Sequence, residues 1–360
     1  MKGPGFARKA KERAAFSIRH SLRLVPLSCS GDPRTRPERS PQISEALVDP
    51  PNSATKPDPV ERSRVWRLLR KNPAFWLGGG AVVALLLAAV FAPVLAPHDP
   101  DVGNWQDGLT LQGNPVGPSF KYLLGTDYLG RDYLSRLLFG ARTSLTIGIG
   151  ANAIATLTGV VVGATAAYVG NRRIRVRLLG RWTFHVAFPL ENLLMRATDV
   201  ALSFPALLLA IALVAILGSS LLLVTAVIAA VMWTGTARIV YSRVLIVKEL
   251  DFVEAARALG GSGSWVFFRH ILPHIVSIIV VYATLGIAGT VLFEATLSYL
   301  GVGVPPPASS WGAMISQHIG YYATDPRLMA LPGVAIMVTV LGFSLLGDAL
   351  RDALDPSTTR

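Results

Sequence analysis

The sequence holds a single cysteine, Cys29, in 360 residues, which excludes an intrachain disulfide and with it a stapled extracellular scaffold. Charge is scarce as well. Asp, Glu, Lys and Arg make up 16% of the chain, against roughly 25% in soluble domains. Hydrophobic residues reach 51% and the mean hydropathy is +0.47, the composition of a membrane protein. No Gly-x-x-x-x-Gly-Lys-Ser/Thr run occurs, so the chain has no P-loop for ATP; Gly-x-Ser-x-Gly, His-Glu-x-x-His and paired-cysteine motifs are absent too. The chain is therefore read as no enzyme, with neither a cofactor nor a metal of its own. A secondary transporter usually carries charged or broken-helix sites near the bilayer centre. Here the middles of the apolar runs lack charge, which ranks a permease driven by partner subunits first.

The basic excess lies mostly at one end. Residues 1–71 carry 16 Lys and Arg against 7 Asp and Glu, leaving 18 against 15 for the rest. Eight prolines between Pro26 and Pro59 interrupt this stretch, which is too polar and broken to bury a core. Residues 1–65 are expected to be a disordered basic tail. A solvated cytoplasmic tail is favoured over an arm drawn to anionic lipid, and no nucleic-acid partner is expected.

Stretches free of Asp, Glu, Lys and Arg locate the spans, since a hydrocarbon core about 30 Å thick needs roughly 20 apolar helical residues. They are Phe75–Ala96, Leu145–Val169, two in the 38 residues between Asp199 and Arg238, Ile275–Phe293 and Leu328–Gly347. One helix of 38 residues would be nearly twice too long, so the third and fourth spans should turn at Gly218-Ser219-Ser220. The expectation is an all-α integral membrane protein with six transmembrane helices. With the N-terminus inside, 29 of the 34 Lys and Arg fall on the inner segments and 5 on the outer ones, placing both termini in the cytoplasm of a multi-pass plasma-membrane protein.

Between the spans, Leu123–Arg142 mixes apolar and charged residues, including Asp127, Arg131 and Asp132. Leu134, Leu137 and Leu138 recur at helical spacing, predicting a short amphipathic helix on the outer surface, either an outer gate or partner dock or a cap on the bundle. Gly159 and Gly163 form a GxxxG spacing for close helix packing. Glu294, ending the fifth span, either faces a water-filled path or is hydrated at the interface. His270 and His274 have helical metal spacing, but no acid or cysteine completes a set.

The inner segment 250–274 is the most informative. Asp251 and Glu254 have the form of a capping box, Phe252, Val253, Ala256 and Leu259 share a helical face, and Gly260-Gly261 stop the helix. The product is a stiff rod of about two turns, roughly 12 Å long, able to transmit a push between membrane helices. Pro273 then suits the first turn of the next helix.

Glu254-Ala255-Ala256, Gly260 and Ile271-Leu272-Pro273 resemble the EAA loop of permease subunits of binding-protein-dependent ABC importers. LGTDYLGRD (124–132), SRLLFGAR (135–142), RHILP (269–273), EATLSYLGVGVPPPASSWG (294–312) and LGDALRDALDP (346–356) resemble the second permease of the dipeptide, oligopeptide and nickel group, in the right order. The resemblance implies a type I ABC importer transmembrane domain. Its first helix and extracytoplasmic segment would be residues 66–142, and its core residues 143–356 with the EAA loop at 251–273. The implied partners are a homologous permease, an extracytoplasmic solute-binding protein, the lipid bilayer and cytoplasmic subunits that bind and hydrolyse ATP. ATPase coupling would fall to Asp251, Glu254, Ala255, Ala256, Gly260, Ile271, Leu272 and Pro273, and an outer gate or translocation path to Glu294, Asp127, Arg131 and Asp132. Peptides are the favoured solute, with nickel or another small solute as the alternative. Two departures stand out: the long tail, and an added Arg-rich stretch at Arg172–Phe188.

Overall fold

The computed structural model describes residues 59–170, 172–178 and 182–354. Among them lie five helices long and apolar enough to cross a membrane, and a sixth candidate span if one bent pair is counted as one. Helix α1 is Pro59–Lys71 and α2 is Pro73–Val90, followed by the short α3, Ala92–Leu95. Helix α1 begins inside the stretch expected to be disordered tail. Its Leu69 packs against Ala349 and Ala353 near the chain's last helix, an apolar contact that orders it. Residues 1–58 lie outside the described residues.

Asn72 starts α2 by accepting a hydrogen bond from the Ala74 N–H at 2.9 Å, with Pro73 in the first turn. Helix α4 runs unbroken from Tyr133 to Val169, 37 residues. That length, about 56 Å at 1.5 Å per residue, exceeds the hydrocarbon core by some 26 Å. The separate surface helix expected around Leu134–Leu138 is instead the first two turns of α4. No proline interrupts the sequence there, and Asp132 caps the joint helix at its true start.

Strands β1 (Arg172–Leu178) and β2 (Trp182–Phe188) follow as an antiparallel hairpin, Arg175 opposite His185. The Arg-rich stretch thus adds one short hairpin to a fold that is otherwise helical. Within Arg172–Leu178, β-branched Ile174 and Val176 alternate with arginines, a period of two rather than 3.6. Helix α5 (Leu190–Ser203) then meets α6 (Ala206–Leu217) at 88° across Phe204-Pro205. Proline disfavours the helical conformation for the residue before it, and Phe204 is extended. The turn at Gly218-Ser219-Ser220 forms where expected, with Ser220 Oγ accepting from the Leu223 N–H at 3.2 Å to start α7, Leu221–Val247. Helix α6 has only 12 residues, too few to cross alone, so the third span exists only where the bent pair is counted as one.

Helix α8 is Asp251–Ala258 and α9 is Gly263–Val266; a π-turn over Phe267–Ile271 leads into α10, Leu272–Tyr299. The candidate span runs continuously over Gly263–Tyr299 and starts well before Ile275. Pro273 cannot donate a backbone hydrogen bond and crowds the carbonyl four residues back, and the wider π-turn just before it accommodates both without breaking the rod. Helix α11 (Trp311–Gln317) and α12 (Arg327–Leu354) complete the chain as described.

The spans pack through small residues. A Cβ on Gly163 would meet the Ala237 carbonyl oxygen at 2.3 Å, and one on Gly159 the Trp233 carbonyl oxygen at 2.7 Å, so the GxxxG spacing brings the α4 and α7 backbones together. Buried residues fill 44% of the most apolar window of α7 but 17% of that of α2, which makes α7 central and α2 peripheral.

Candidate functional site

The two ends of α4 organise two sites. At its Val169 end stands the α8 rod. Leu250, not Asp251, is its N-cap: the Leu250 carbonyl accepts from the Val253 and Glu254 N–H groups at 2.9 and 3.2 Å, and no side chain caps the helix. The expected capping box is therefore not made. Asp251 and Glu254 both lie in the first turn, where the amide dipoles favour negative charge.

The far end is closed as the sequence predicts. The Gly260 N–H donates to the Arg257 carbonyl at 3.0 Å and the Gly261 N–H to the Ala256 carbonyl at 3.1 Å, a Schellman stop with Gly260 at φ 85°. A side chain at that φ is strained, although the space beside Gly260 is open.

Val253 and Ala256 bury the inner face of the rod against Ala164, Val240, Val244, Val266 and Ile271. Full burial of Val253 contributes on the order of 1.5 kcal/mol. Leu259, expected on that face, is 89% exposed, because the chain leaves the helix at Gly260 before the face is completed. Asp251, Glu254 and Ala255 point outward, as does Pro273, whereas Ile271 is fully buried and Leu272 half-buried. The EAA residues thus divide into an exposed surface and its apolar mooring. Two contacts that sequence reasoning missed tie the rod to the bundle. Phe252 stacks on His274 at 4.7 Å, and the Tyr168 hydroxyl donates to the Gly263 carbonyl at 2.6 Å.

At the Tyr133 end a different chemistry prevails. Asp127 is fully buried, and its Oδ1 accepts from the Leu129 and Arg131 N–H groups at 2.8 and 3.0 Å. Its Oδ2 accepts from Arg131 Nε at 2.7 Å and lies 3.5 Å from Arg136 Nε. Asp132 accepts from the Ser135 N–H at 2.9 Å and so caps α4. Arg136, 1% exposed, donates to the Pro100 carbonyl at 3.1 Å. Asp127, Arg131 and Asp132 are therefore brought together as the lock of a loop platform.

Residues distant in sequence complete that platform. Arg327 donates to the Leu124 and Val116 carbonyls at 2.7 and 2.8 Å, the Trp311 indole to the Leu137 carbonyl at 3.2 Å, and the Tyr133 hydroxyl to the Leu328 carbonyl. His318 is fully buried between the Tyr128 and Tyr133 rings, centroids 5.4 and 5.5 Å away, and its Nδ1–H donates to the Met314 carbonyl at 2.6 Å. Burial holds its imidazole below the usual histidine range. Arg136, Arg327 and His318 are not singled out by the sequence; the one local signal is an arginine four residues after the cap, Asp132, in a helix whose only other charged residue is Arg142.

Glu294 sits apart from that lock and does not end its helix, since α10 continues to Tyr299. It is fully buried, with Ser298 Oγ donating to Oε1 at 2.7 Å and Oε2 making no hydrogen bond to the described protein. Ser144 and Ser310 flank the carboxyl. These four residues join α4 and α10 to the start of α11.

Among the described residues no group of three or more His, Cys, Asp or Glu side chains is placed to hold a metal. The exposed rod can press on another protein, and the platform can fix the opposite helix ends. Neither arrangement presents an acid–base pair to a bound substrate.

The family model described as "Binding-protein-dependent transport system inner membrane component" matches residues 159–360, and that of the "N-terminal TM domain of oligopeptide transport permease C" matches residues 62–113. The glutathione transport system permease protein GsiD of Salmonella paratyphi A is 40% identical over 303 residues, covering 84% of this chain and 93% of its own. The protein of the same name from Escherichia coli O157:H7 is 38% identical over the same shares. A chain from inward-facing structures of the MetNI methionine ABC transporter matches at a TM-score of 0.47 and 20% identity, covering 61% of this chain and 96% of that one.

Proposed function

The chain belongs to the family of binding-protein-dependent transport system inner membrane components, the non-enzymatic membrane subunits of ABC importers, and from that premise we propose its solute class and its coupling surface. The solute is peptide-like, a small peptide or a glutathione-type conjugate. The relatives named as glutathione permeases favour it over nickel.

The α8 rod is the surface that receives the stroke of cytoplasmic ATPase subunits. The observation that carries this reading is the division of the rod: Glu254 and Ala255 exposed, Val253 and Ala256 moored to α4, α7 and α10. A surface that must be gripped from outside and move three helices needs both properties. The distribution of Lys and Arg supports a cytoplasmic position for the rod and for both termini. The platform then lies on the side of the solute-binding protein, where Asp127, Arg131, Asp132 and Glu294 hold the outer ends of the helices around the translocation path. ATP binding by the partner subunits displaces the rod, the attached helices tilt, and the cavity shared with the homologous permease opens alternately to the two sides. The chain itself carries out no covalent step.

Gly260→Asp tests the coupling surface in the assembled importer. The expected outcome is loss of solute-stimulated ATP hydrolysis with unchanged membrane insertion. Normal uptake at unchanged expression would overturn it. Thermal-shift measurements of the co-purifying binding protein with glutathione, dipeptides and nickel check the solute, since a ligand that binds only the folded state raises its melting temperature.

A further inference from the structure

At the rod end of the bundle, α7, α10 and α12 enclose an open cavity of about 590 Å³, within the roughly 300–1,000 Å³ usual for small-ligand sites. Its polarity is graded along the helices. Arg243 near the end of α7, Arg351 near the end of α12, and His274 and Ser277 at the start of α10 form the mouth. Ile278, Val281 and Leu285 continue the wall inward along α10 beside Tyr282, and Ile246, Val247 and Leu354 add apolar surface around the arginines at the mouth. Leu285 lies eleven residues beyond His274, about 16 Å deeper at 1.5 Å per residue.

The mouth carries uncompensated positive charge. Neither Arg243 nor Arg351 forms an ion pair among the described residues, and no lining residue bears a carboxylate. His274 Nδ1 donates to the His270 carbonyl at 3.0 Å, which fixes the ring at the rim with Phe252 stacked on it.

Two guanidinium groups above an apolar shaft match one kind of molecule, an anionic phosphate head on a hydrocarbon stem. The geometry points to an acidic phospholipid bound here, its phosphate between Arg243 and Arg351 and its glycerol and upper chain along Ile278 and Val281. A hydrophilic solute passing through would meet polar groups along the depth of the cavity, and beyond the mouth this one offers only the Tyr282 side chain. Basic residues at a membrane surface favour anionic lipid, and Arg suits phosphate through its planar fork of donors. The site does not depend on the coupling reading. Phe252 and His274 nevertheless place it one side chain away from the rod.

The test uses the assembled importer containing the full chain, delipidated in detergent and titrated with phosphatidylglycerol or with phosphatidylcholine of the same acyl chains, bound lipid being counted by native mass spectrometry. Phosphatidylglycerol is expected to bind at least tenfold more tightly. Arg243→Gln and Arg351→Gln should each weaken it roughly fivefold and leave phosphatidylcholine unchanged. Ile278→Trp, which fills the apolar shaft without altering charge, should weaken phosphatidylglycerol while a melting curve shows the complex intact. Equal binding of the two lipids, undiminished phosphatidylglycerol in the double arginine variant, or competition by glycerol phosphate as strong as by the lipid would overturn the proposal. ATP hydrolysis is not read, so the outcome is independent of the coupling test.

Discussion

The two ends of α4 are held by opposite means. At Tyr133, charged side chains are buried and bonded to one another: Asp127 with Arg131 and Arg136, Asp132 with Ser135, and Arg327 with two carbonyls more than 200 residues away. At Val169 the neighbouring α8 rod rests on small apolar side chains, with one stacking contact beside it and its polar residues facing outward. Buried ion pairs are geometrically demanding and costly to break, so they hold one arrangement. Apolar contact is nondirectional and allows a rod to shift while staying docked. On the proposed coupling reading, that asymmetry would keep the subunit fixed where helices are gathered and let it shift where force would enter.

The largest effect that would break this comparison is expected at Asp127. Asp127→Ala removes the carboxylate shared by buried Arg131 and Arg136, leaving Arg131 without an ion-pair partner among the described residues and Arg136 only with Asp101 at 3.7 Å, a loss of about 3–5 kcal/mol, read as a collapse of the folded fraction in detergent melts. Wild-type melting would show that the platform is not locked by charge. Next comes the middle of α4, common to both ends. Gly163→Val pushes a side chain onto the Ala237 carbonyl and is expected to cost about 1–3 kcal/mol, lowering the melting temperature and transport together.

At the rod, stability and function should separate. Gly260→Asp places a side chain at positive φ in open space, costing about 1 kcal/mol, so the melting temperature shifts little while coupling is lost. A large drop in melting temperature would make the rod as rigidly held as the platform. The smallest effect concerns pH. Folding lowers the His318 pKa, so the folded state binds fewer protons than the unfolded one, and stability falls as pH drops below the unfolded value of about 6.5. His318→Gln should flatten that part of the stability profile; an unchanged slope would assign the acid sensitivity elsewhere.

Much of this architecture is legible residue by residue. The apolar runs locate the spans, and Gly218 and Ser220 mark a turn that forms as read. Gly159 and Gly163 announce a close helix pair. The rod's end follows from Gly260-Gly261, because a left-handed stop is a local backbone preference. Its start lies one residue before the Asp251 that the spacing predicts as N-cap, since an Asp before an apolar face fits the N-cap and the first turn equally well. The supposed surface helix failed for a related reason: amphipathic spacing shows that a segment is helical and not where the helix ends.

The sequence by itself determined the membrane setting, most of the spans and the glycine stop of the rod, because hydrophobic length, helix stops and turn residues act over a few positions. It left the partners of Asp127, Arg136, Trp311 and Arg327 undecided. Those contacts join segments up to 211 residues apart and exist only once α4, α10 and α12 have packed. The cavity between α7, α10 and α12 is of the same kind. Arg243 and Arg351 are unremarkable in the chain, and the tertiary structure alone makes them two sides of one mouth.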